Sequence, residues 1–275
     1  MECHPAGRPR TGGSAMTHYV FDNADTRTKT RFAALAAFDP ASHAALAAAG
    51  VAPGWTCWEV GGGDGSIGHW LSEQVGAGGS VLVTDIDPRW IPAPDRPDLT
   101  VRRHDVVTDE LPGGTFDLIH ARLVLIHLPD RQAVLDRLVS ALKPGGRLVV
   151  EEFDLRHPLT PRTADPHHVA TFDAVHAPLL GVFESREVGA TWARSLPDAF
   201  IARGLQDVRV DTTTALWRGG SEEIELHRVN VEQLAEPLAA AGVSPRTLAA
   251  FYALLEDPAF AVWSYPLVSV TGTRG

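Results

Sequence analysis

One run constrains this chain more than any other: Cys57-Trp58-Glu59-Val60-Gly61-Gly62-Gly63-Asp64-Gly65-Ser66-Ile67-Gly68, in which an apolar stretch reaches an acid and then passes into glycines. That order predicts a strand, a tight turn and the start of a helix. Without Cβ atoms the chain turns at positive φ, and a ligand can lie against bare backbone beside the N-terminus of the following helix. A turn of this kind is a nucleotide-cofactor site.

Two registers fit it. Read from Gly63, the residues Gly63-Asp64-Gly65-Ser66-Ile67-Gly68 satisfy the dinucleotide pattern G-x-G-x-x-G, which is a weak signal by itself. Read from Glu59, the run is acid-x-Gly-x-Gly-x-Gly. Downstream, 80–87 is an apolar strand ending in Asp85, an acid suited to a ribose diol in either register. The strand over 99–106 ends in Asp105, and 116–122 opens Phe116-Asp117-Leu118-Ile119 before Leu128-Pro129-Asp130. Leu142-Lys143-Pro144-Gly145-Gly146 then precedes a fifth strand.

In that succession, over residues 55–153, the chain resembles the class I S-adenosylmethionine (SAM) methyltransferases. The resemblance implies an α/β, Rossmann-like fold: a seven-stranded, mostly parallel sheet with helices on both faces, a helical N-terminal segment and a lid. It implies SAM as cofactor and S-adenosylhomocysteine as product. Glu59, Gly61, Gly62 and Gly63 would form the cofactor turn, Asp85 with Ile86 the ribose site, and Asp105 with Val106 the adenine site. Backbone near Ala121 would face the methionine moiety. Tyr19 is the candidate aromatic that closes the methionine end from the N-terminal segment. A nicotinamide oxidoreductase is the competing reading. It would need a proton donor such as a Tyr-Lys pair, and none of Tyr19, Tyr252 and Tyr265 is followed at helical spacing by Lys. An enzyme that uses the same cleft for cyclisation or rearrangement also stays open, as does a partner protein without catalysis.

The chain has 275 residues, 44% of them hydrophobic, enough for a sizeable core. Its 34 acidic against 24 basic side chains give a formal charge of -10, which argues against nucleic-acid and anionic-membrane surfaces. The partner expected is therefore a small-molecule acceptor, with no nucleic acid and no membrane; a homodimer is implied only at family level. Cys3 and Cys57 suggest neither a disulfide framework nor a zinc site, and no run approaches the ~20 apolar residues of a membrane span. The reading is cytoplasmic. An Ala-, Arg- and Gly-rich, Lys-poor composition points to a high-GC bacterial genome and so toward specialised metabolism.

Residues 1–15, rich in Gly, Pro and Arg, read as a disordered extension, and 16–50 as an N-terminal helical segment over the cofactor, divided at Pro40. Residues 51–275 form the methyltransferase domain, with a helical acceptor lid over about 155–203 and helices expected at 166–180 and 188–202. A Thr-rich strand is expected at 206–217, helices at 221–241 and 244–255, and a last antiparallel strand at 260–273, with Pro266 at its start or in a bulge.

Methyl transfer from a sulfonium needs alignment and exclusion of water more than it needs a base. If a base is used, His127 is the candidate, with His120, Glu152 and Asp154 also placed near the cleft. The resemblance puts a His before Leu-Pro in many small-molecule methyltransferases, where it is often structural. His167, His168 and His176 read as polar positions of a lid helix, since metal ligands sit closer in sequence and beside a carboxylate or thiolate; no metal is expected. Phe172, Phe183, Trp192 and Trp217 are candidates to line an apolar acceptor pocket or to be core.

Overall fold

The computed structural model describes residues 20–111, 115–163 and 165–275. Among the described residues two helices come first, α1 (Thr28–Leu35) and α2 (Asp39–Ala48), with Pro40 in the first turn of the second, where its missing N–H and fixed φ do no harm. An alternation then builds the sheet: β1 (Thr56–Val60), α3 (Ser66–Val75), β2 (Ser80–Asp85), β3 (Leu99–Arg103), β4 (Phe116–Arg122), α4 (Arg131–Ala141) and β5 (Leu142–Phe153). Next come α5 (Pro166–Ser185), α6 (Trp192–Ala202) and β6 (Leu205–Thr213). Beyond them lie β7 (Leu216–Arg218), α7 (Glu225–Gln233), α8 (Ala235–Ala240), α9 (Pro245–Glu256), β8 (Ala261–Trp263) and β9 (Leu267–Arg274).

The main sheet has seven strands in the order β3-β2-β1-β4-β5-β9-β6. The first five are parallel, and β9 runs antiparallel to both β5 and β6. Parallel strands are covered on both faces, so they read as unbroken apolar runs; Cys57, Trp58 and Val60 of β1 are all buried. One face packs Leu46 of α2 with Ile67, Leu71 and Val75 of α3 over Val81, Val83, Leu118 and Val149. The other face is larger and continues from α4 and α6 into the helices beyond the sheet. The strand order reverses between β1 and β4, and a crevice opens there at the carboxyl ends of the strands.

Two strand expectations need correction. The strand read over 260–273 is two strands: β8 leaves the main sheet and pairs with β7 as a separate ribbon, with Trp217 opposite Val262. Pro266, which has no N–H for a ladder, lies in the gap, and Ser264 fastens the break by donating its N–H to Ala215 O at 2.8 Å and accepting from Ala215 N at 3.0 Å. The strand read over 206–217 divides at the same level, between Thr213 and Leu216.

The segment expected as an acceptor lid divides between two layers. Of the segment 155–203, α5 packs against α8 and α9, whereas α6 lies on β5, β6 and β9 as a layer helix of the sheet. Leu155, Phe183 and Val188 of this segment line the crevice, and the insertion between β6 and β9 adds α7, which packs on α1, α8 and α9.

Candidate active site

The glycine turn is where the reading placed it. Gly61, Gly63 and Gly65 have φ of 68°, 59° and 88°, in the left-handed region that glycine adopts without strain. Gly61 and Gly62 both donate to Thr84 O, at 2.7 and 3.0 Å, which ties the turn to the end of β2. There is no room for a side chain. A Cβ on Gly62 would lie 2.3 Å from Val83 Cγ1, and one on Gly61 2.3 Å from Val124 Cγ2.

Asp85, at the tip of β2, accepts from Gly63 N at 3.0 Å with one oxygen and from Asp87 N at 2.8 Å with the other. Burial raises its pKa against those two bonds. Asp105 follows β3, and its Oδ1 accepts from Val107 N at 2.8 Å. Glu59, the three glycines, Asp85, Ile86, Asp105 and Val106 line one cavity of about 410 Å³, within the usual range for a small-molecule site. Ala121 does not. It is fully buried inside β4, and the cavity wall begins with Arg122, Leu123 and Val124, where Leu123 adopts φ 56° and donates its N–H to Glu151 O at 2.8 Å. Tyr19 lies outside the described residues; from that end of the chain Phe21, Asn23, Arg31, Phe32 and Leu35 reach the cavity.

His120 departs from its expected place at the cleft. It is wholly buried beneath the turn, between two acids: Nδ1 lies 2.6 Å from Glu59 Oε2 and Nε2 lies 3.0 Å from Glu151 Oε2. The sheet register causes this, because Glu59 on β1 sits directly opposite His120 on β4. Ser42 and Ser269 donate to the Glu151 carboxylate, and Arg122 donates to Asp39 at 2.8 Å and to Ser42 at 3.1 Å. Burial alone would lower the imidazole pKa; the Glu59 charge and the bond to Glu151 reverse that and hold it at about 9. Burial raises Glu59 while the bonds to His120 lower it, so a proton is shared between the imidazole and the acids, and the contact fixes the side chain of Glu59 from below.

His127 does face the cavity, beside the Phe21 ring at 6.1 Å between centroids. Burial, helped by the charges of Arg31 and Arg131, pushes it down to about 3, so it is neutral and weakly basic. Glu152 and Asp154 do not line the cavity. Glu152 is buried, accepts from Ile126 N at 3.1 Å and is raised by burial to about 8; Asp154 pairs with Arg194 at 2.8 Å. His168 lies 3.4 Å from Asp257 Oδ2, and His176 Nε2 is bonded to Tyr265 OH at 2.7 Å. Of the four aromatic candidates only Phe183 lines the cavity, whereas Phe172, Trp192 and Trp217 are core.

Several lining residues escaped the sequence reading: Arg31, Phe32, Leu226, Asn230 and Tyr265 come from segments remote from the motifs. Only Asn230 carried a signal, as a polar residue among the buried positions of α7. Phe32 lies over the turn, 3.2 Å from where a Gly63 Cβ would be. The Arg31 guanidinium sits 3.7 Å above the centre of the Phe21 ring and donates to Gln233 of α7.

Residues 58–148 match the family model of a methyltransferase domain. The chain is 40% identical over 76 residues to a methyltransferase, str2, of Strobilurus tenacellus, a match covering 27% of each chain. It is 30% identical over 161 residues to the ubiquinone/menaquinone biosynthesis C-methyltransferase UbiE of Laribacter hongkongensis, covering 53% of this chain and 60% of that one. The chain thus spans less than two thirds of the length of these relatives. Among solved structures, the SAM complex of a Haemonchus contortus phosphoethanolamine N-methyltransferase superposes with a TM-score of 0.56 at 15% identity, over 90% of this chain and 58% of that one. A Bacillus halodurans protein described as a putative methyltransferase gives 0.54 at 13% identity, over 84% and 97%. These two share the fold. The match to a methyltransferase domain thus spans the glycine turn and the strands that follow it, and the sheet order is that of the class I methyltransferase fold.

Proposed function

We propose that this protein transfers a methyl group from SAM to a small organic acceptor, at oxygen, carbon or nitrogen, in the cytoplasm of a bacterium and within specialised metabolism. One observation carries this reading: the cavity that begins at the glycine turn, Asp85 and Asp105 continues without a break to a wall of Phe21, Leu155, Phe183 and Leu226. Cofactor and acceptor would meet in one enclosure.

The residues fit SAM. Asp85 keeps lone pairs for a ribose diol after taking its two backbone bonds, Asp105 lines the cavity and would accept from an adenine amino group, and the turn offers backbone with no side chain in the way. SAM, when bound, supplies a methyl group on a positively charged sulfur, already a good leaving group. The chain's share is alignment and dryness. Phe32 of α1 covers the turn, α7 packs on α1 and closes the cavity beyond it, and the apolar wall would desolvate the nucleophile. His127 is held neutral and far below its ordinary pKa, which favours a wall role over that of a base. An acceptor already nucleophilic at neutral pH suits such a site. The Laribacter relative, named for quinone C-methylation, is compatible with an aromatic acceptor.

Parallel calorimetric titration with SAM, S-adenosylhomocysteine and NAD tests the reading. Binding of the two sulfur compounds without NAD supports it, and an acceptor screen by product mass follows. Preference for NAD would overturn it, and SAM binding with acceptor conversion but no methylated product would favour cyclisation or rearrangement.

A further inference from the structure

Beyond the cofactor turn, α7 presents Leu226 and Asn230 to the cavity, one helical turn apart on one face. Asn230 is 6% exposed, and its Oδ1 has no hydrogen-bond partner among the described residues. Two further buried polar atoms without partners among the described residues lie in the core behind Tyr265, outside the cavity lining. His227 Nε2 and Trp217 Nε1 are both buried without partners, and these rings are 5.5 Å apart. Tyr265, which lines the cavity, packs 5.6 Å from His227 and is itself satisfied by His176. Folded proteins rarely leave buried polar atoms unpaired, and one on a residue that lines a cavity, as Asn230 Oδ1 does, marks a place where a polar partner enters. Around it the lining is apolar or aromatic: Phe21, Phe153, Leu155, Phe183 and Leu226.

From this juxtaposition we infer that Asn230 is the residue that selects the acceptor, taking a hydrogen bond on Oδ1 from a hydroxyl carried on a planar, otherwise apolar skeleton. The proposal rests on the methyltransferase reading of the same cavity and adds the substrate class to it. The side-chain amide suits the task because it can accept from the hydroxyl proton and donate to the hydroxyl oxygen together. An analogue without the hydroxyl would leave the amide buried and unpaired, and sites built this way reject such analogues strongly. Tyr265, anchored by His176, and Leu226 hold the ring plane beside the amide. Whether the bound hydroxyl is itself methylated depends on which acceptor atom lies in line with the sulfur; recognition by Asn230 is the same in both cases.

The test uses the full chain saturated with S-adenosylhomocysteine, titrated with naphthol and with naphthalene by ligand-observed NMR. The wild type is expected to prefer naphthol by about tenfold or more. Asn230→Leu, close in volume, should bring the two affinities within about twofold of each other, whereas Asn230→Asp, which keeps an acceptor oxygen, should retain the preference. S-adenosylhomocysteine affinity within about twofold of wild type in both variants shows that fold and cofactor site are intact, since any larger change exceeds what a residue remote from the turn should cause. An undiminished preference in Asn230→Leu, no preference in the wild type, or no binding of either probe to the saturated protein would each overturn the assignment of Asn230. Failure of S-adenosylhomocysteine to bind at all would instead overturn the methyltransferase reading.

Discussion

His120 offers a prediction that reaches from sheet register to stability. Its imidazole is fully buried between Glu59 and Glu151, and its pKa stands at about 9 against an ordinary 6.5. A group whose folded pKa is raised stabilises the fold fully below its unfolded value, and that contribution is lost as pH rises through the folded value. The window is therefore pH 6.5 to 9. At about 1.4 kcal/mol per pH unit the loss comes to about 3 kcal/mol, similar to the 3–5 kcal/mol typical of breaking a buried ion pair. Glu152 also loses stability with rising pH, but its pKa of about 8 ends its contribution earlier. Urea unfolding of wild type and His120→Gln at steps from pH 6 to pH 9.5 separates the two. The wild-type advantage should be about 3 kcal/mol at pH 6 and should shrink toward zero by pH 9.5, because Glu152 is common to both proteins and cancels in the difference. Parallel curves for the two proteins across this range would show that the buried imidazole is not charged in the folded state.

Other outcomes follow from the same geometry. Asp85→Ala should weaken SAM binding by about 1–3 kcal/mol in calorimetry through loss of charge-assisted bonds; unchanged affinity would remove Asp85 from the ribose site. Gly68→Ala should destabilise by about 1–3 kcal/mol, because the new methyl would lie 2.3 Å from Val83 Cγ2, and Gly68→Ala with Val83→Ala should be more stable than the sum of the single changes. Additive effects in urea unfolding would refute the contact. His176 at about 4 and His227 at about 3 are held neutral by burial, and depressed groups of this kind stabilise above pH 6.5 and lose that contribution as pH falls, so His227→Gln should flatten the acid limb of the unfolding curve. His127→Phe should leave any pH dependence of turnover between pH 5 and 8 unaltered, since that imidazole does not titrate there; a lost inflection would restore it as a base.

The sequence by itself determined the part of the protein in which chemistry is local. An apolar run, an acid and glycines within a dozen residues admit one conformation, so the turn, Asp85 and Asp105 could be placed from their order along the chain. The seven-stranded, mostly parallel sheet was implied by the resemblance those motifs carry, and the structure supplied its strand order. Tertiary structure decided the rest. The register of β1 against β4 set Glu59 opposite His120 and took that histidine away from the cleft, and register is a relation between strands that periodicity within one strand does not contain. Pro266 was legible as an irregularity, but only the pairing of β7 with β8 showed that it divides two sheets. The acceptor wall is the clearest case. Phe21, Asn230 and Tyr265 are brought together from opposite ends of the chain by the packing of α7 on α1, and no spacing in the sequence records a contact of that range.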